Sequence, residues 1–147
     1  MIQTRYMKKE DVPQVARIER ENFSVPWSEN AFLESIQKDY TLYVVAEEEG
    51  EILGYCGLYQ AYNQGEIVNV AVDGKVRRRG VATKLLEFLF FESVKREIDQ
   101  WFLEVRMSNK PAITLYQSFG FVESGIRKNF YEKPKEDAII MTRRFTF

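Results

Sequence analysis

Hydrophobic residues change their spacing from segment to segment along the chain, and these changes predict alternating strands and helices. The spacing of Val12, Val15 and Ile18 is helical, whereas short β-rich runs bounded by turn residues are typical of strands. The predicted order is β-α-α-β-β-β-α-β-α-β-β, which indicates one α/β domain over residues 1–147 with a mixed sheet. The predicted strands are 2–6, 41–46, 52–62, 67–72, 101–105, 121–131 and 138–147, and the predicted helices are 12–23, one following Ser28, 85–97 and 110–119.

Polar residues and glycines mark the ends of these elements. Asp11, Ser28 and Asn109 each precede a helical segment and are predicted to cap it. Gly120 follows the last helix, where a left-handed conformation is common. Turns are expected at 49–51 and 63–65, and an exposed loop at 133–137.

The run Ile67–Val72 is almost entirely apolar, which predicts a strand buried on both faces. It leads into a basic turn, 76–83, that opens the third helix. A helix N-terminus presents unpaired N–H groups and the positive end of the helix dipole, and both favour a bound phosphate. Gly80 and Ala82 have little bulk, so a ligand could approach the backbone closely. The turn is therefore predicted to hold a pyrophosphate, although a solvated basic helix start would give the same local pattern.

Composition excludes several classes of function. The chain has 147 residues, is 45% hydrophobic and carries a net charge of −1, so it is long enough for a core and has no global basic field for nucleic acid. No apolar run reaches the ~18 residues of a membrane span. The lone Cys56 excludes an internal disulfide and fits a cytoplasmic protein. The absence of histidine excludes histidine-based triads and histidine metal sites, and no metal is expected.

The basic turn matches neither the P-loop nor the dinucleotide-binding pattern. Its residues Arg77 to Ala82 read R-x-x-G-x-A, which resembles the coenzyme A signature of the GNAT family of N-acetyltransferases. Ala82 stands where glycine is more frequent in that signature, so a methyl group narrows the approach to the phosphate slightly.

A longer resemblance covers the second half of the chain. Residues 103–121 read L-E-V-R-x-S-N-x-x-A-I-x-L-Y-x-x-x-G-F, similar to the RimI-type ribosomal-protein alanine N-acetyltransferases, and the segments 26–28 and 136–141 agree. The resemblance implies a GNAT fold with helices on both faces of the sheet and acetyl-CoA as co-substrate. It also implies an N-terminal α-amine as acceptor, namely the N-terminal alanine of a small-subunit ribosomal protein. A monomer or weak dimer is expected.

Acetyl transfer to an amine needs a base for the amine and an acid for the leaving thiolate. Glu104 lies in an otherwise apolar strand, where desolvation would make it a better base. The alternative is an ion pair with Arg106 or with an arginine of a neighbouring strand. A phenol has a pKa of about 10 and can donate a proton at pH 7. The resemblance implies that Glu104 is the base and Tyr116 is the acid. From its spacing alone, Tyr116 would be expected to be a core aromatic residue.

The resemblance also implies which residues bind the two substrates. Asn109 would contact coenzyme A besides capping its helix. The strand before the basic turn would pair with the pantetheine arm like an added strand. The acceptor would lie near Trp27, Asn129 and Tyr131, although these residues could equally pack against the sheet edge. The full set expected at the cofactor is Val70, Ala71, Val72, Arg78, Arg79, Gly80, Val81, Ala82, Thr83 and Asn109.

Two other functions remain open from the sequence. A GNAT enzyme for a small amine would share the coenzyme site and the base, because no motif defines the acceptor pocket. A non-catalytic acyl-CoA-binding module would share the coenzyme site alone, but it would have no use for both Glu104 and Tyr116.

Overall fold

A seven-stranded sheet organises the structure, a computed structural model that describes residues 1–144. The strand order is β1-β2-β3-β4-β5-β7-β6; β4 and β5 are parallel, and the other neighbouring strands in the described chain are antiparallel. The elements are β1 Gln3–Tyr6, α1 Val12–Asn22, α2 Glu29–Ile36, β2 Thr41–Glu48, β3 Glu51–Ala61, β4 Gln64–Val72, α3 Val81–Val94, β5 Gln100–Arg106, α4 Lys110–Ser118, β6 Val122–Glu132 and β7 Lys135–Arg144.

The helices cover both faces of the sheet, as predicted. On one face, α3 and α4 bury residues such as Leu85, Leu89 and Ile113 against β3, β4 and β5. On the other face, α1 and α2 bury Ile18 and Phe32 against β2 and β3. The predicted mixed α/β architecture is therefore confirmed, and the sheet lies between two separate hydrophobic layers.

Local chemistry explains most of the helix ends. The Ser28 hydroxyl accepts a hydrogen bond from Ala31 N (3.1 Å), and Asn109 Oδ1 accepts one from Ala112 N (3.3 Å). Gly120 follows α4 with φ +88°. Asp11 precedes α1 as predicted, but the predicted capping hydrogen bond to its side chain is absent. Its side chain makes no capping bond to α1 and instead accepts from the backbone N of Lys8 (2.8 Å) and from the Arg5 guanidinium.

Some predicted boundaries differ from the structure. The turn at 63–65 is shorter, because β4 already begins at Gln64. The loop at 133–137 is reduced to residues 133–134, because Lys135 to Asp137 pair with β6 as the start of β7. The last strand was predicted to continue to Phe147, but residues 145–147 lie outside the described chain.

Neither a membrane-spanning helix nor a metal cluster is found among residues 1–144. None of the described helices is long and apolar enough to cross a membrane. Within residues 1–144, no group of three or more histidine, cysteine, aspartate or glutamate side chains is placed to hold a metal ion. Cys56 is buried, as predicted.

Candidate functional site

The two parallel strands in the middle of the sheet separate before they end. β4 and β5 are paired from Gln64 with Gln100 to Ile67 with Leu103, and the described chain has no further pairs between them. Beyond that point β4 follows β3 and β5 follows β7. The sheet therefore opens into a gap, and one edge of each strand is left without its neighbour.

A β-bulge lies in β4 at the beginning of this gap. Ile67 pairs with Leu58 and Asn69 with Gly57, so Val68 is an extra residue without a partner in β3. A bulge redirects the side chains that follow it. Ile67 packs with the α3 layer, whereas Ala71 belongs to the α1 layer. Val68, Val70 and Val72 are only half-buried, so β4 is not buried on both faces, contrary to the prediction.

A cleft of about 630 Å³ occupies the gap between the strands. It is bounded by the end of α1 and the following loop, by β4 and β5, by α4 and by the end of β6. Of the residues predicted to act in catalysis or binding, the cleft lining contains Trp27, Val70, Glu104, Asn109, Tyr116 and Tyr131.

Glu104 lies on β5, one residue beyond the last β4–β5 pair. Its side chain is 13% exposed, and Oε2 lies 3.6 Å from Nε of Arg127 on β6, beyond hydrogen-bond distance. Arg106, the other arginine considered as its partner, binds Glu136 (3.2 Å) and lies over the Tyr131 ring instead. Oε2 of Glu104 is buried and accepts no hydrogen bond from the described residues. The Glu104 carboxylate therefore forms only a long ion pair with Arg127, whose side chain is mostly exposed. It also borders the cleft.

Tyr116 approaches the same cleft from α4, on the other face of the sheet. The side chain is buried, with 8% of the residue exposed, and it packs against Phe121 with 6.0 Å between ring centroids. Burial raises the pKa of the Tyr116 phenol well above its ordinary value. The hydroxyl therefore stays protonated throughout the neutral range, and the side chain is both a core aromatic residue and part of the cleft wall.

The basic turn has the geometry expected of an anion site. Gly80 has φ +76° and precedes α3, and nothing lies within 4 Å of the position that a Cβ would take there. The first hydrogen bond of α3 joins Lys84 N to Gly80 O (3.1 Å). The N–H groups of Val81, Ala82 and Thr83 therefore have no partner within the helix.

The three arginines of the turn differ in their contacts. Arg79 forms an ion pair with Glu48 (2.9 Å), and Arg77 donates to Asn22 Oδ1 (3.1 Å). Arg78 is exposed and has φ +68°. The charge of Arg79 is partly neutralised by Glu48, whereas Arg77 contacts a neutral amide and keeps its charge.

The path from the turn to the cleft follows β4. Val70 lines the cleft, whereas Ala71 and Val72 continue toward the turn outside the lining. The Val72 carbonyl already accepts a hydrogen bond from Asn22 Nδ2 (3.2 Å), although a carbonyl can accept a second one. Within residues 1–144, the edge of β4 beyond Ile67 is not paired with β5, which is compatible with the predicted added-strand pairing. Of Val70, Ala71 and Val72, the Val72 carbonyl is the one already bonded to the Asn22 side chain.

The residues predicted to bind the acceptor are not all in one place. Trp27 lines the cleft, and its ring packs on Phe32 with 5.3 Å between centroids. Tyr131 also lines it, and burial together with the negative charge of Glu104 raises the pKa of Tyr131 to about 12. Asn129 is exposed and outside the lining; its backbone N donates to Asp137 Oδ1 (2.8 Å).

The cleft residues that were missed from the sequence include Glu19 and Asn69. Glu19, on α1, is 2% exposed and accepts hydrogen bonds from the Tyr55 hydroxyl and from Trp27 N (3.0 Å). Asn69, on β4, donates through Nδ2 to the same carboxylate at 3.4 Å. The signal that could have found Asn69 is a single amide within the apolar run Ile67–Val72. Glu19 could have been noticed as a charge beside the apolar positions of α1.

Comparisons with known proteins agree with this architecture. The family model described as "Acetyltransferase (GNAT) family" matches residues 12–121. A relative from Escherichia coli (strain K12), a ribosomal protein bS18-alanine N-acetyltransferase, is 36% identical over 133 residues, 89% of each chain. A relative from Bacillus subtilis (strain 168) is 36% identical over 138 residues, 93% of this chain and 91% of its own. The crystal structure of the ribosomal-protein-S18-alanine N-acetyltransferase from Escherichia coli has a TM-score of 0.91 and 34% identity, covering 100% of this chain and 96% of that one.

Proposed function

This chain belongs to the GNAT family of acetyltransferases, and we propose that it transfers the acetyl group of acetyl-CoA to the N-terminal alanine of a small-subunit ribosomal protein. The observation that carries the proposal is that Glu104 and Tyr116 border one cleft, at the point where β4 and β5 separate. The activity named for the Escherichia coli relative supports the choice of acceptor.

In the proposed reaction, Glu104 takes the proton that the amine must lose. The amine nitrogen forms a bond to the thioester carbonyl carbon, and Glu104 accepts the proton directly or through a water molecule. The unpaired Oε2 and the weak contact with Arg127 support this role, because the carboxylate keeps acceptor capacity toward the cleft.

Tyr116 would supply the second proton. As the C–S bond breaks, its hydroxyl donates to the leaving thiolate of coenzyme A, and the phenolate then recovers a proton from solvent while Glu104 releases the one it gained. The raised pKa of Tyr116 keeps the donor protonated before the reaction begins.

The basic turn would hold the pyrophosphate of acetyl-CoA. Backbone N–H groups at the start of α3 would donate to its oxygens, and Arg78 would add charge. The unpaired edge of β4 at Val70 would bind the pantetheine arm, and Asn109, which lines the cleft, would contact it from α4. These donors fit the chemistry of a pyrophosphate joined to an amide-containing arm.

An N-terminal amine suits a site with a single carboxylate base. An α-amino group has a pKa of about 7.7–8.0 and is neutral in roughly a tenth of molecules at pH 7, whereas a lysine with a pKa of about 10.4 is neutral in about 0.04%. An N-terminal amine therefore reaches Glu104 in its reactive neutral form far more often than a lysine does. A ribosomal acceptor would place the reaction in the cytoplasm.

Mass spectrometry of small-subunit ribosomal proteins tests the proposed acceptor in cells. Cells that contain the protein should carry one alanine-leading ribosomal protein that is heavier by an acetyl group at its N-terminus. The acetyl group should disappear when the gene is deleted, and the wild-type gene should restore it, whereas a gene encoding Glu104→Gln should not. Unchanged acetylation after deletion would overturn the proposed acceptor.

A further inference from the structure

Two buried side-chain oxygens in residues 1–144 have no hydrogen-bond partner, and they belong to Asn69 and Glu104. Both residues line the same cleft, on the two strands that border the gap. A buried polar atom without a partner destabilises the fold, so such atoms are rare unless a ligand or water satisfies them. The pair therefore indicates two acceptor positions for donors that arrive with a ligand.

The orientation of the Asn69 amide is fixed by its neighbour. Nδ2 of Asn69 donates to Oε1 of Glu19 at 3.4 Å, and the same oxygen accepts from the Tyr55 hydroxyl. The amide nitrogen therefore faces Glu19, which leaves Oδ1 as the free acceptor. Glu19 also binds Trp27 N (3.0 Å), so Asn69 belongs to a network that reaches the loop on the acceptor side of the cleft.

An N-terminal residue brings two kinds of N–H donor into the cleft. One is the α-amine, whose proton goes to Glu104 in the proposed function. The other is the N–H of the first peptide bond, which loses its water on entry and needs an acceptor of its own. The two orphaned oxygens match these two donors in number and in kind.

We infer that Asn69 Oδ1 accepts a hydrogen bond from the first peptide N–H of the acceptor, and so distinguishes a peptide N-terminus from a simple amine. This inference rests on the proposed function. Asn69 lines the cleft and its Oδ1 has no hydrogen-bond partner in residues 1–144, while the contact of Nδ2 with Glu19 holds the amide in this orientation. Asn69 is thus a specificity residue, and Glu19 positions it.

The test uses three alanine-leading peptides of one sequence: one with amide bonds throughout, one with an ester in place of the first peptide bond, and one with an ester in place of the second. An ester removes the N–H and keeps the length of the chain. The wild-type enzyme should lose about tenfold in kcat/KM for the first-bond ester, the equivalent of one hydrogen bond of about 1.4 kcal/mol. It should lose little for the second-bond ester.

Asn69→Ala supplies the second arm of the test. This variant should be about tenfold slower with the all-amide peptide, and it should no longer distinguish that peptide from the first-bond ester. Its affinity for acetyl-CoA should be unchanged. Asn63→Ala is the matched control, because Asn63 is exposed on the β3–β4 turn, bonded to Asp99 (2.9 Å) and outside the cleft.

The outcomes are separable. Equal loss for the first-bond ester in the wild type and in Asn69→Ala would overturn the inference and leave the proposed function standing, as would a wild-type enzyme indifferent to that ester. A wild-type enzyme inert toward the all-amide peptide would overturn the proposed function and the inference together. If Asn69→Ala does not fold, the comparison of the two esters with the wild-type enzyme can still overturn the inference, because it needs no variant.

Discussion

Ile67 and Leu103 form the last pair between β4 and β5 in residues 1–144, and both line the cleft that Glu104 and Tyr116 also border. The bulge at Val68 follows directly on one strand, and Glu104 follows directly on the other. The gap is therefore a consequence of strand pairing: β4 remains with β3 and β5 remains with β7, so the cleft opens between them.

Replacing Glu104 by Gln should lower kcat by about 10²–10⁴-fold at pH 7, the usual contribution of a general base. Raising the pH should recover part of the loss, because more of the amine is then neutral. Steady-state kinetics with an alanine-leading peptide measures both effects. Glu66→Gln is the control: Glu66 is a half-buried carboxylate whose pKa burial and Glu104 raise, yet it lies outside the cleft lining. Equal losses of kcat in the two variants would show that Glu104 contributes only its negative charge and does not act as the base.

Replacing Tyr116 by Phe should lower kcat while the dissociation constant for acetyl-CoA changes little, because the ring remains and only the proton donor is lost. Calorimetry and single-turnover rates separate the two quantities. Tyr43→Phe is the matched control, since Tyr43 is buried in the α1 layer and its hydroxyl binds Ser35 (3.0 Å). The control should lose about 1 kcal/mol of stability and keep its kcat. A Tyr116→Phe enzyme with normal kcat would leave Tyr116 as a core residue alone.

Much of the fold could be predicted because its signals are local. Ser28 and Asn109 bond to backbone N–H groups three residues away, and Gly120 needs a left-handed conformation that glycine adopts freely. Asp11 has the same local pattern, but Arg5 and the Lys8 backbone compete for its carboxylate. A cap could therefore be recognised from sequence only where no tertiary partner competed for the side chain.

The parts of the site that could not be predicted depend on contacts between distant segments. Glu19 and Asn69 meet because the bulge at Val68 redirects the strand toward α1, and no sequence spacing encodes that. The start of β7 at Lys135 to Asp137 has the composition of a loop, yet pairing with β6 makes it a strand. The residues of the catalytic motif were found through a family resemblance, and their chemical roles stay predictions.

Replacing Gly80 by Val should weaken acetyl-CoA binding, because a β-branched side chain is strained at φ +76° and would occupy the space that a phosphate needs. Calorimetry with acetyl-CoA and with pantetheine lacking the pyrophosphate should show a loss for the first ligand only. Gly50→Val is the matched control: Gly50 has φ +83° and equally open surroundings, but lies in the β2–β3 turn. Equal weakening by both variants would trace the effect to strain in the fold rather than to the phosphate.

The value of kcat/KM should rise with pH, and it should not fall again below pH 9. The rate should increase up to about pH 8 as the α-amine loses its proton. Tyr116 must be protonated to act, and its pKa is raised, so its active form persists as the pH increases beyond the range of an ordinary tyrosine. A profile of kcat/KM from pH 6 to 10 with a stability check at each pH measures this. A descending limb that begins below pH 9 and disappears in Tyr116→Phe would contradict the raised pKa of Tyr116, because it would show that this phenol loses its proton at an unusually low pH.

The most direct test of the central claim is a comparison of kcat/KM for three acceptors with the purified protein and acetyl-CoA. The acceptors are an alanine-leading ribosomal peptide, the same peptide with a blocked N-terminus and an internal lysine, and spermidine. The alanine-leading peptide should be acetylated on its α-amine with the highest kcat/KM, and the lysine peptide should be far poorer because its amine is neutral several hundred times less often at pH 7. A higher kcat/KM for spermidine than for every alanine-leading peptide would contradict the proposed function and identify a small-molecule acetyltransferase with the same coenzyme site.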